Sequence, residues 1–355
     1  MQVTPLLSTS TYLSTEKRQV LHVVKDNKMG GVKSNLKGLT ESDLSNSFDF
    51  QIVVFDVERF CLHSFQNLKE PDLIIYHPTC RLKGLPDLLR LKTRFSRSRL
   101  IIHEHAYSQG YEEHNVSQPW KFHNVLRAFY RLADRVVAIS RAQQDWMLKH
   151  HLASVHQLRL IHQCPPLDCF TKLSPKSRDR DLILGAYGRF CTQKGFEVLI
   201  KAMEQVKDLP IKLLLGGTGE LEKDLHQISN HLPSITFWGR VENVADFLGH
   251  CDVVVIPSLW EPWGNVCLEA RAAGKPIIAS RIDGLVEQVQ NPDGESCGLL
   301  VTPGNSTELA KGFRIMALAS PLQLRRWGER GRLSVQEGHQ RYLQAWKELM
   351  WEVLY

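Results

Sequence analysis

Short apolar runs alternate along this chain with longer amphipathic stretches. In the first half, QVLHVV (19–24), FQIVVFDV (50–57), DLIIYH (72–77), RLIIHEH (99–105), RVVAIS (135–140) and LRLIHQ (158–163) read as strands. Their apolar positions are mostly adjacent, the pattern of strands covered on both faces and hence of parallel sheets. Between them lie helical patterns such as HNVLRAFYRLAD (123–134). PPLDCFTKLSPKSRDRD (165–181) then breaks the alternation with proline and charge and reads as an interdomain connection. The pattern resumes with LILGAYGR (182–189), a helix FEVLIKAMEQV (196–206), IKLLLGG (211–217), SITFWGR (234–240), CDVVVIPS (251–258), KPIIAS (275–280) and GLLV (298–301). A helical, aromatic-rich tail, QEGHQRYLQAWKELMWEVLY, occupies 336–355.

A chain of 355 residues exceeds what one core organises. The expected organisation is an N-terminal domain over 1–170 with an extension at 1–17, a linker at 171–181, a second domain over 182–335, and a helix at 336–355 that returns to the first. Two α/β domains in tandem put the ligand site in the cleft between them, at the carboxyl ends of the strands.

Composition narrows the class. With 43% hydrophobic and 23% charged residues the chain is globular rather than disordered. Its apolar runs are too short to span a bilayer, and its first residues lack the pattern of a secretory leader. The eight cysteines show no CxxC spacing and read as reduced, mostly buried small side chains, and the sequons at 115–117 and 305–307 matter only after secretion. A cytoplasmic protein is expected. The net charge of +6 is uneven: residues 1–178 carry 25 Lys and Arg against 16 Asp and Glu, leaving 19 against 22 for the remainder. Residues 81–99 hold seven basic side chains and one acidic. That segment reads either as a solvated helix face or as a patch for anionic lipid or an anionic acceptor. Nucleic acid is not the expected partner, because aromatic residues are not interleaved with this charge as stacking platforms.

The chemistry-bearing stretches follow predicted strands. In GRFCTQKGFEV (188–198), Arg189 and Lys194 precede a helix start, a setting suited to a diphosphate or to a plain exposed loop. GGTGE (216–220) follows a strand and reads as a ligand-approach loop or as a tight turn, while MGGV (29–32) opens a helical stretch without the spacing of a Walker loop or of GxGxxG. EPWGNVCLEA (261–270) places Glu261 and Glu269 with seven residues between them across a strand-to-helix turn, so one carboxylate stands at the loop and the other a turn into the helix. Carboxylates there suit sugar and ribose hydroxyls.

Taken in order, GRFCTQKG, LLLGGTGE, ITFWGRV, EPWGNVCLEA, AGKPIIAS, DGLVEQV and CGLLVTPGN make residues 181–312 resemble the donor-binding half of retaining glycosyltransferases of family 4, within the GT-B fold. The first half is similar more loosely, through the glycines at 30–31, DLIIYH, LIIHEH and LADRVVAIS. The resemblance implies two Rossmann-like domains facing across a cleft, with the last helix crossing back. It implies a metal-independent transfer of a hexose from a UDP- or GDP-sugar to a glycan or lipid-linked acceptor hydroxyl, with no further cofactor. By similarity Arg189 and Lys194 bind the diphosphate, Glu269 the ribose, and Glu261 the sugar near its anomeric carbon. Gly264, Asn265 and Val266 contribute backbone contacts, Gly30 and Gly31 close over the phosphates, and His105, with His103 as the alternative, faces the sugar. Asp283 stands where the family commonly has a second glycine, and Trp263 where it more often has Phe. The competing readings are another GT-B sugar-nucleotide enzyme, such as an epimerase, and a non-catalytic sugar-nucleotide-binding subunit. The basic 81–99 segment favours glycolipid, lipopolysaccharide or exopolysaccharide synthesis at the inner face of a membrane.

Overall fold

The computed structural model describes residues 16–24, 30–54, 65, 68–77, 80–173, 181–290 and 295–355. Six parallel strands form a first sheet: β1 (Arg18–Val24), β2 (Phe48–Val54), β3 (Leu73–His77), β4 (Arg99–His103), β5 (Arg135–Ala138) and β6 (Leu158–Leu160), in the order β2-β1-β3-β4-β5-β6. A second parallel sheet contains β7 (Leu182–Tyr187), β8 (Ile211–Gly216), β9 (Ile235–Gly239), β10 (Val253–Ile256), β11 (Ile277–Ser280) and β12 (Gly298–Val301), in the order β12-β11-β10-β7-β8-β9. Read from β9, this second order is the 3-2-1-4-5-6 arrangement of a Rossmann sheet. The far end of the expected second strand (55–57), residues 1–15 of the expected extension and 174–180 of the expected linker lie outside the described residues.

Helices cover both sheets. In the first half they are α1 (Gly30–Thr40), α2 (Leu85–Arg94), α3 (Gln109–Asn115), α4 (Pro119–Tyr130), α5 (Arg141–Lys149) and α6 (Asp168–Thr171). In the second they are α7 (Phe196–Glu204), α8 (Glu222–Ser229), α9 (Val244–His250), α10 (Asn265–Ala272), α11 (Asp283–Val289), α12 (Ser306–Leu318) and α13 (Pro321–Val335). The tail helix, α14, spans Gly338–Leu354.

Local chemistry explains where these elements sit. Every residue of β3, β10 and β11 is buried, which is why their sequences run apolar without alternation. Ser108, Ser140, Asn243 and Asn305 accept a backbone N–H in the first turn of α3, α5, α9 and α12, fixing those helix starts. Proline opens α4 and α13, where its missing N–H costs no helical hydrogen bond.

One buried cluster joins the two sheets. It runs from Val20, Phe48, Ile75 and Ile101 through Trp346 and Met350 of α14 to Trp263, Leu268 and Val254. The tail helix rests on the first sheet: the Trp351 ring lies 4.8 Å from Phe48 and Trp346 lies 5.0 Å from His103, centroid to centroid. Glu352 accepts from Arg135 (2.7 Å), which opens β5, and from Arg159 (2.5 Å) on β6.

Candidate functional site

Strand order reverses between β7 and β10 in the second sheet, and a crevice opens there at the carboxyl ends of parallel strands. Both chemistry-bearing loops of this half emerge at that point. The chain leaving β7 passes Gly188 and the exposed Arg189, and reaches Lys194 and Gly195 before α7 begins. Gly195 has φ +64°, and a Cβ there would sit 2.1 Å from the Pro257 carbonyl oxygen, so only glycine lets this turn lie under the loop that follows β10.

The loop after β10 carries Glu261, which is buried at 7% exposure. It is paired with the Lys194 ammonium and accepts the Ser258 hydroxyl at 3.1 Å. Gly264 is the cap of α10, and Asn265 and Val266, both half-buried, form its first turn. Asn265 reaches across the cleft, its Nδ2 donating to the Gly31 carbonyl at 3.3 Å in the first turn of α1. Gly30 is the residue before it and opens α1.

Glu269, one turn further along α10, accepts the Tyr187 hydroxyl at 2.6 Å. Burial raises its carboxyl pKa to about 7, against the lowering effects of Tyr187 and Lys194. It lines a cavity of about 520 Å³ between the halves, with Ser34, Pro166, Phe170, Asn243 and Val244. Trp263 is buried, lies flat on His162 (4.8 Å, 8°) and donates Nε1–H to the Gln163 carbonyl at 2.8 Å.

From the first sheet the opposite wall is built of imidazoles. His22 on β1, His77 at the end of β3, and His103 and His105 at the end of β4 meet beside Gln163. Gln163 Oε1 accepts Asn35 Nδ2 (3.2 Å), which turns its Nε2 toward His105 Nδ1 (2.5 Å). The consistent tautomers then run in one direction: His105 Nε2–H donates to His77 Nδ1 (2.9 Å), and His77 Nε2–H donates to His22 Nδ1 (3.0 Å). Burial holds His22, His103 and His105 well below the ordinary imidazole range and His77 at about 3, so all four are neutral near pH 7. Glu104, between the last two, is also buried. It accepts the N–H groups of Ala106 (2.8 Å) and Tyr107 (3.3 Å) and the Tyr130 hydroxyl (3.0 Å), and so fixes the turn that presents His105.

Of the residues expected from sequence, Lys194 and Glu261 meet directly, Gly31 and Asn265 meet across the cleft, and Glu269 borders the cavity. Arg189 is apart from them and has no ion-pair partner among the described residues. His22, His77 and Gln163 join the site without being singled out by the sequence; a polar residue closing an otherwise apolar run, as in DLIIYH and LRLIHQ, is the signal that marks His77 and Gln163. Among the described residues, two groups have ligand atoms close enough to hold a divalent ion: His77, His103 and His105, and, on α3, α4 and the end of α5, Glu112, His123 and His150.

Residues 181–317 match the family model described as "Glycosyl transferases group 1". An uncharacterized glycosyltransferase of Methanocaldococcus jannaschii is 35% identical over 226 residues, covering 61% of this chain and 54% of that protein. The lipopolysaccharide core biosynthesis glycosyltransferase LpsD of Rhizobium meliloti is 38% identical over 130 residues, 36% of each chain. The chain thus spans about half or less of the length of these curated relatives. Among solved structures, HepE of Anabaena in complex with UDP and glucose superposes with a TM-score of 0.72, covering 94% of this chain and 99% of that one at 20% identity. The fold is therefore α/β of the GT-B type, two Rossmann-like domains facing across a cleft.

Proposed function

We propose that this protein is a glycosyltransferase of family 4 that moves a hexose, with retention of configuration and without a metal, from a UDP- or GDP-sugar to an acceptor hydroxyl. The observation that carries the reading is the convergence of one loop-and-helix element on the cleft: Glu261, paired with Lys194, and, two turns on, Glu269 at the cavity edge. The family match over 181–317 and the UDP-bound HepE neighbour support a sugar-nucleotide donor on this half.

In this reading the ribose hydroxyls donate to Glu269, which gives up its hydrogen bond from Tyr187. Lys194 turns from Glu261 to the diphosphate and, with Arg189 and the N–H groups at 264–266, stabilises the leaving charge. Glu261, freed of its cation, accepts from the sugar near the anomeric carbon, and neutral His105 hydrogen-bonds the sugar from the opposite wall. Gly30 and Gly31 approach the phosphates. The bond from the anomeric carbon to the phosphate oxygen breaks as the bond to the acceptor oxygen forms on the same face, and the acceptor's proton passes to the departing phosphate. Trapping a glycosyl adduct on Glu261 would replace this front-face path with a double displacement.

The acceptor class favoured by the chain's charge is a glycan or lipid-linked sugar at the inner face of a membrane. Arg81, Lys83, Arg90, Arg94, Arg97 and Arg99 are exposed on and around α2, with Leu82 and Leu89 66% and 46% exposed beside them. No helix among the described residues is long and apolar enough to cross a membrane.

Thermal-shift measurements against UDP, GDP and their sugar conjugates, with and without chelator, test the donor site. Stabilisation by one diphosphate family, indifferent to chelator and lost in Glu269→Ala, is expected. Binding without transfer or hydrolysis would favour the non-catalytic subunit, and indifference to every nucleotide would overturn the donor site.

A further inference from the structure

We infer that Asp283 and Glu287, one turn apart on α11, form a clasp that holds the cleft closed, and that Asp283 also sets the position of the Glu261 loop. The Asp283 carboxylate is buried between the two halves. Its Oδ2 accepts the Ser108 hydroxyl (2.8 Å) and its Oδ1 the Gly110 N–H (3.1 Å), both at the start of α3 in the first half. The same Oδ2 accepts the backbone N–H of Glu261 (3.0 Å) in its own half. Glu287 repeats the arrangement one turn later: Oε1 accepts the Arg141 N–H at the start of α5 (2.8 Å), and Oε2 faces His162 Nε2 (3.0 Å).

Two further observations set Asp283 apart from an ordinary buried carboxylate. Its φ is +42°, a left-handed conformation that a side chain makes costly and that glycine adopts freely. Strain of this kind persists where surrounding contacts over-determine it and points toward function. Across the seam, a Cβ on Gly110 would lie 2.7 Å from Asp283 Oδ2, 3.0 Å from Trp260 Cβ and 3.1 Å from Ile282 Cγ1. The first half reaches the carboxylate only because residue 110 has no side chain.

Asp283 is thus a positioning residue: one carboxylate ties the sugar-facing loop to the opposite domain, so that closing the cleft and placing Glu261 are a single event. The effect on Glu261 rests on the glycosyl-transfer reading; the effect on closure does not.

The test uses the full chain with Asp283→Gly, which removes the carboxylate and relieves the left-handed φ, Glu287→Gln, and the pair together. Small-angle scattering reads domain separation, and amide exchange reads residues 108–112 and 259–264. The double variant is expected to stay folded with a larger radius of gyration and about tenfold faster exchange in both segments. In Asp283→Gly, kcat is expected to fall about tenfold while nucleoside diphosphate affinity, held mainly by the second half, changes less than about threefold. Wild-type scattering and exchange in the double variant would overturn the clasp, and an unchanged kcat in Asp283→Gly would overturn the positioning role. If both observables shift but the wild-type chain transfers no sugar, the clasp stands and the glycosyl-transfer reading fails.

Discussion

Replacing Lys194 with Met separates the electrostatic work of this residue from its proposed contact with the donor. Lys194 and Glu261 keep 19% and 10% side-chain exposure, so removing the ammonium leaves a largely desolvated carboxylate with only the Ser258 hydroxyl as its side-chain donor. Breaking a fully buried pair from one side costs about 3–5 kcal/mol. The residual exposure and the surviving hydrogen bond reduce this to about 2 kcal/mol, since solvent screens what it can reach. For a folding unit the size of the second half, that lowers Tm by about 4–8 °C. Adding Glu261→Gln removes the stranded charge, so the double variant regains most of the loss while transfer stays low. Transfer by the single variant falls about 100-fold, equivalent to roughly 2.7 kcal/mol of barrier, if Lys194 stabilises the leaving diphosphate. Differential scanning calorimetry of the four proteins, with a radiolabelled-donor transfer assay on each, reads both quantities. A single variant that melts within about 1 °C of wild type refutes the buried-pair reasoning; near-normal transfer refutes the role in catalysis.

Three other outcomes follow from the geometry. The Glu269 carboxyl titrates near 7 in the fold and near 4.5 when exposed, so the folded state holds a proton that the unfolded chain releases and stability falls as pH rises between those values. Glu269→Gln removes that penalty: melting curves should show the variant gaining on wild type above pH 7, by at most about 3 kcal/mol, and matching it near pH 4.5. Gly195→Ala forces a Cβ against the Pro257 carbonyl at a left-handed φ, and urea unfolding should show a loss of about 2–4 kcal/mol. Reversing Arg90 and Arg94 to Glu should weaken sedimentation with anionic vesicles by about fivefold or more per site at low salt, at roughly 1 kcal/mol per basic residue; no binding by the wild-type chain removes the membrane contact.

The twelve strands among the described residues were legible because each is short, largely apolar and closed by a turn, and in the inner strands of a doubly covered parallel sheet burial alone produces that pattern. Helix ends were less so. α4 begins at Pro119 rather than at His123, because PWKF is read as a loop until the proline at its first position is weighed. α13 went unnoticed because PLQLRRWGERGRLSV is dense in arginine and carries two glycines, Gly328 and Gly331, which pack against the backbone at Gly274 and Arg271. In the site, residues sharing one loop or helix were readable from spacing: Glu261, Gly264 and Glu269 needed only the turn geometry. Contacts set by strand order were not. His22 and His77 converge because β1 and β3 are neighbours with Val24 opposite His77, and no local pattern records that register. Asp283 stood out as a departure, but its partner Ser108 lies 175 residues away.

The helix over 338–354 imposes an order of assembly on the first sheet. A ribosome releases residues 18–160, the whole first sheet, long before it makes the helix that covers one face of it. At about 5–20 residues per second, the intervening stretch from 161 to 337 takes on the order of 9–35 s. Throughout that interval Phe48 and the imidazoles of the cleft wall lack Trp351 and Trp346 as neighbours. The nascent first domain therefore presents an apolar, histidine-lined surface to the cell before it becomes one side of a cleft.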